Sequence, residues 1–89
     1  MKFKVNDGKG EIQKETIGRV TCSRYAGEFH SPHMMSRANT GLWYTSVSVN
    51  PFVVQGEGNT PKAAIEDSIA RTEDRIKKMQ KGIDAMRGL

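Results

Sequence analysis

The chain has one cysteine, Cys22, in 89 residues. A single thiol excludes an intramolecular disulfide and a cysteine-rich zinc module, and it fits a reducing intracellular compartment. Long apolar runs are missing as well. No window approaches the roughly 20 apolar residues of a membrane span, and the N-terminal M-K-F-K-V-N-D-G lacks the apolar core of a signal peptide. A cytoplasmic protein with no membrane segment is expected. Charge of one sign is not concentrated either: the net charge of +4 divides into six basic and three acidic residues over 1–25, one and two over 26–60, and seven and five over 61–89. So modest an excess is compatible with attraction to nucleic acid or to an acidic protein surface, and equally with ordinary solvated lysines. The length supports one small core, so residues 1–89 read as a single domain on the scale of one helix on one sheet.

Catalytic signatures are also lacking. His30 and His33 form an H-x-x-H, but zinc needs further ligands at defined spacing and none is forced here. Cys22 falls on the inward face of a strand with no carboxylate to orient a histidine beside it, which describes a buried, inert thiol better than a nucleophile. The carboxylate pairs Glu66-Asp67 and Glu73-Asp74 lie on the solvated side of a helix. Gly56-Glu57-Gly58 precedes a helix N-terminus yet lacks the spacing of a phosphate-binding loop. No catalytic residue, no metal and no cofactor is therefore predicted, and the chain reads as a non-enzyme.

What is present begins with Thr60 to Leu89. Thr60 has the hydroxyl of an N-cap and Pro61 the fixed φ of a first helical position. Behind them Ile65, Ile69, Thr72, Ile76, Met79, Ile83 and Met86 recur at alternating steps of four and three, a seven-residue period. Acidic residues gather toward the N-terminal half and Lys77, Lys78, Lys81 and Arg87 toward the other, the order a helix dipole favours in its terminal turns. Gly82 could end the helix. Because the period runs through it in register, the pattern predicts one helix over 61–87.

The strands precede it, within 2–25 and 42–56. Lys2 to Val5 alternates polar and apolar, and N-D-G-K-G offers a turn before Ile12. Over Ile17 to Tyr25, Gly18, Val20 and Cys22 alternate with Arg19, Thr21, Ser23 and Tyr25. Leu42 to Val49 places Trp43, Thr45, Val47 and Val49 on one face and Tyr44, Ser46 and Ser48 on the other, and Phe52 to Gln55 resumes after Asn50-Pro51. Residues 26–41 fit neither period and read as a long loop, which in a compact domain tends to be either functional or disordered; its apolar Phe29, Met34 and Met35 favour a segment that docks on a surface over a pure linker. The prediction is an α+β fold: a three- to four-stranded antiparallel sheet followed by one long C-terminal helix packed on one face.

Length turns this plan into surfaces. A helix over 61–87 is about 40 Å long, whereas four strands span less than 20 Å. Ala64, Ile65 and Ile69 would be covered by Phe3, Val20, Trp43, Val47 and Phe52, while Ile76, Met79, Ile83 and Met86 are left for a second copy, giving a homodimer, or for another protein. The loop residues Phe29, Met34, Met35 and Arg37, with Arg24 and Tyr25 beside them, form the candidate partner-binding surface, since methionine adapts to irregular partners and arginine with aromatics dominates interface energy. The alternative is a nucleic-acid site on the outer sheet face and helix, using Arg19, Tyr25, Tyr44, Lys77, Lys78 and Lys81 to stack bases and pair phosphates.

Gly56, Gly58, Thr60, Lys62 and Ala64 resemble the strand-to-helix junction of double-stranded-RNA-binding domains, which implies RNA binding. Pro61 and Ile65 stand where two of that family's lysines belong. G-E-G-N-T-P-K-A-A-I-E-D-S-I, residues 56–69, resembles the same segment of HicB-type antitoxins, which implies a protein that neutralises another protein. In size and general plan the chain is similar to small phage-encoded accessory proteins, including anti-CRISPR and other anti-defence inhibitors. Residues and resemblances together lead to the expectation of a non-catalytic protein that occupies a surface of a host protein or complex, most plausibly a phage-type inhibitor or regulator of a host or defence system, with RNA or single-stranded DNA binding as the alternative.

Overall fold

Thr60 and Pro61 begin the dominant element in the way their chemistry requires. In the computed structural model, which describes residues 2–4 and 9–89, Ala63 N donates to Thr60 Oγ1 at 3.0 Å and closes the N-cap. Helix α2 then runs Pro61–Arg87 without interruption. Before it come β1 (Lys2–Lys4), β2 (Glu11–Ile17), β3 (Val20–Ala26), α1 (Pro32–Thr40), β4 (Trp43–Val49) and β5 (Phe52–Gly58). The strands form one antiparallel sheet in sequence order. The α+β plan, an antiparallel sheet followed by a long C-terminal helix on one face, is thus the one the sequence predicts, with the three-residue β1 extending the sheet to five strands.

Two expectations are corrected. Residues 26–41 are not a loop throughout, because Pro32–Thr40 forms α1. Its end is set by Gly41, whose φ of 65° is a left-handed conformation that costs a side-chain-bearing residue 1 kcal/mol or more. Ile17 to Tyr25 is not one strand: Ile17 ends β2, Gly18 and Arg19 make the turn, and β3 starts at Val20. The expected N-D-G-K-G turn lies partly outside the described residues, as does Val5, and of Phe3 only the backbone pairing with Ile12 is described.

Register assigns the two faces. Cys22, Thr45 and Gly56 share one row across β3, β4 and β5, and α2 lies on that side, over β5 and part of β4. The contact is unusually close. A Cβ on Gly56 would collide with the backbone of Ser68 and Ala64, and one on Gly58 would come within 2.8 Å of Ala63, so glycines under Ala64 and Ser68 let the helix settle onto the strand. Ala64, Ser68, Thr45 and Cys22 are all buried there, and the Cys22 thiol donates weakly to the Pro61 carbonyl at 3.6 Å. Along the outer edge Asp67 accepts from Glu57 N at 2.9 Å and from Arg71 Nε at 2.9 Å, which ties the helix to β5. The opposite face carries α1, which packs on β3, and Ile12 and Phe29 are buried on the Tyr25 side.

Burial stops early along α2. Thr72 is half-buried and every residue from Glu73 to Leu89 is exposed. The molecule measures 58 × 28 × 23 Å with a radius of gyration of 16.6 Å, against about 12 Å for a compact chain of this length. Its surface of 6814 Å² exceeds by about 1,600 Å² the roughly 5,200 Å² of a folded monomer of this mass. The projecting helix accounts for both. Among the described residues no helix is long and apolar enough to cross a membrane.

Candidate interaction surfaces

The first surface lies on the outer face of the sheet. Ser23 on β3 pairs with Tyr44 on β4, so Tyr25, two residues along, stands diagonal to Tyr44 on the same side. Their rings are 6.4 Å apart and inclined at 75°. Helix α1 lays Arg37 onto this pair: its guanidinium carbon is 5.5 Å from the Tyr25 centroid and 4.9 Å from that of Tyr44, and Nη1 donates to the Tyr25 hydroxyl at 3.3 Å. Thr40, one turn later, shares a hydrogen bond of 2.7 Å with the Tyr44 hydroxyl. Two aromatic faces therefore hold one cation, and no carboxylate pairs with Arg37 among the described residues.

In front of Arg37 opens a cavity of about 400 Å³ between α1 and the β5 edge. Its floor is hydroxyl-rich, with Thr21, Ser23 and Ser46, and its far wall is Gln55, Glu57 and Arg71. Arg71 is already engaged by Asp67 at 2.9 Å and Glu57 at 3.5 Å, so it closes the wall as part of a network. Arg37 is the cation left to offer. A cation beside hydroxyl groups has the chemistry to accept a polar, negatively charged group by hydrogen bonds and charge.

Of the predicted partner-binding residues, Tyr25 and Arg37 meet here, while Met34 and Met35 are half-buried on α1. Phe29 does not belong to an open surface. It is buried at 7% exposure, its ring lies over Gly10 and edge-on to Tyr25 at 5.8 Å, and its amide donates to Met35 Sδ at 3.5 Å. Arg24 is on the other side of the sheet, opposite Trp43 and Gln13, with a buried Nε that finds no hydrogen-bond partner among the described residues; adjacency in sequence sends Arg24 and Tyr25 to opposite faces. His30 lines a hollow of about 350 Å³ with Lys9, Glu28 and Phe29. Cys22 is fully buried beneath α2, and the described residues contain no group of three His, Cys, Asp or Glu arranged to hold a metal ion.

The nucleic-acid set is dispersed. Tyr25 and Tyr44 are together, but Arg37 fills the space over their faces and their steep mutual angle offers no flat platform for successive bases. Arg19 is in the β2–β3 turn, and Lys77, Lys78 and Lys81 are on the projecting half of α2, where Lys78 pairs with Asp74 at 3.1 Å. Thr40, Ser23, Ser46, Gln55, Glu57 and Arg71 contribute to the cavity region without having been singled out by sequence. Their signal was available only through register, which places Ser23 beside Tyr44 and Glu57 beyond it.

The second surface is the apolar stripe. Ile69, Ile76, Met79, Ile83 and Met86 are 49%, 59%, 63%, 44% and 75% exposed. The sheet end that faces the same side is bare too, with Val47, Val49 and Phe52 exposed. The expected cover of Ile69 by Val47 and Phe52 is not made, because the helix sits on Ala64 and Ser68 and its isoleucines turn about 100° per residue away from that line. Comparison with protein-family models, with curated proteins and with solved structures finds no match.

Proposed function

We propose that this chain is a non-catalytic binding protein that acts by occupying a surface of a host protein or complex, as a phage-type inhibitor or regulator of a host or defence system would. The observation that carries the reading is Arg37. A cation held between Tyr25 and Tyr44, unpaired with any described carboxylate, stands at a hydroxyl-lined hollow, and Met34 and Met35 are half-buried on the same helix. Arginine and tyrosine are the side chains that most often dominate interface energy, and methionine fits irregular neighbours. The group such a site takes is an aspartate or glutamate of the partner, which Arg37 and the hydroxyls would bind together.

The test is capture of the partner from host lysate by the tagged chain, with identification by mass spectrometry and repetition with two variants. Arg37→Glu is expected to abolish recovery of the same partner and Lys81→Glu to leave it unchanged. Undiminished recovery with Arg37→Glu would overturn the assignment. A gel shift with RNA or single-stranded DNA that weakens steeply with salt and is lost in Lys77→Glu/Lys78→Glu/Lys81→Glu would replace the reading with nucleic-acid binding.

A further inference from the structure

We infer that the projecting half of α2 is covered by a second copy of this chain, in an antiparallel helix pair. The apolar face comes first. Helix α2 is seated on β5 by its first half, held there by Asp67 and Arg71, and beyond that seat Ile76, Met79, Ile83 and Met86 are all exposed on one side of the helix.

The occupant follows from charge. Residues 61–74 carry four acidic and two basic side chains, and residues 75–89 carry five basic and one acidic. An antiparallel copy lays the basic half along the acidic half twice over, whereas a parallel copy sets like against like and drives both sheets into the same space. The seven-residue period gives the register. Ile76 packs with the partner's Met79, Ile83 with the partner's Thr72, and Ile69 with the partner's Met86, so the single polar member of the stripe meets an isoleucine and not its own copy. One position to the side, Glu66 stands opposite the partner's Arg87. The surface excess of about 1,600 Å² over a compact monomer matches, per protomer, an interface at or above the roughly 800 Å² that each partner gives to a stable complex.

Light scattering and sedimentation of the full chain between about 1 and 200 μM are expected to show twice the 9.9 kDa monomer mass, and Ile76→Lys/Ile83→Lys to raise the dissociation constant at least 100-fold with an unchanged far-UV spectrum. Orientation is read by cross-linking, for which the buried Cys22 can stay in place. A Thr72→Cys chain mixed with an Ile83→Cys chain forms the mixed disulfide in the antiparallel pair, while Thr72→Cys alone does not self-link. Glu66→Lys weakens the pair and Glu66→Lys/Arg87→Glu restores it. Monomer mass throughout, or self-linking of Thr72→Cys in preference to the mixed pair, overturns the proposal.

Discussion

The two halves of α2 share one sequence period and have opposite fates. Over Pro61–Thr72 the helix is seated on β5 by Ala64 and Ser68, small residues over glycines, and locked at its edge by the Asp67 carboxylate. Over 73–87 every residue is exposed, although Ile76, Met79, Ile83 and Met86 continue the stripe that Ile65 and Ile69 begin. A heptad stripe reports which side of a helix is apolar and not what covers it. An isolated segment of about 15 residues is marginal as a helix in water, but this one inherits a nucleus already formed on the sheet, so each further residue adds a hydrogen bond without a new nucleation cost. Lys78–Asp74 and Gln80–Asp84 add side-chain links one turn apart.

The largest effect should come from the seat of the proximal half. Gly56→Val forces a branched side chain into the backbone of Ser68 and Ala64, so the helix must lift off β5. A loss of about 3 kcal/mol is expected, in the upper range for overpacking, which lowers the thermal midpoint by roughly 15 °C in a domain of this size. Calorimetry checks it. A loss below about 1 kcal/mol would mean that the close approach of helix and strand does not hold the proximal half down.

Thr60→Ala should cost less, about 1 kcal/mol, since it removes one capping acceptor and leaves Ala63 N to water. Urea unfolding followed by far-UV dichroism measures it, with an unchanged slope expected because the same surface unfolds. Thr60→Ser should retain most of the stability.

How far the fold could be read follows from the same residues. Thr60 and Pro61 were legible because capping is local chemistry. Ser31 and Pro32 open α1 with the same pair of residue types, and Gly41 closes it, yet this nine-residue helix has no buried residue and is too short to set a period apart from a loop; it is tied down by Arg37 on Tyr25 and Tyr44, by Thr40 on the Tyr44 hydroxyl and by Met35 on the Phe29 amide. The site was legible in parts for that reason. Tyr25 and Tyr44 were legible together on the outer sheet face and Arg37 as a residue type, whereas their meeting needed the pairing of Ser23 with Tyr44 and the seating of α1 on β3, and Phe29 leaves the set because Gly10 gives its ring a place to be buried. Alternation placed Trp43, Thr45, Val47 and Val49 on one face correctly and could not say that α2 would stop short of Val47.

The smallest effect is the most discriminating. Gly82 lies inside α2, and a Cβ there meets nothing within 4 Å, so Gly82→Ala adds helix propensity of about 0.8 kcal/mol with no steric cost. If the distal half opens by itself, that gain belongs to a local equilibrium and is absent from global unfolding. In the Ile76→Lys/Ile83→Lys background, where no second copy can mask it, amide exchange of residues 79–86 should slow roughly threefold to fourfold while the thermal midpoint of the sheet stays within about 1 °C. A midpoint raised by several degrees would instead mean that the projecting half unfolds together with the sheet, and the division of α2 into a seated half and a half that waits for a partner would fall.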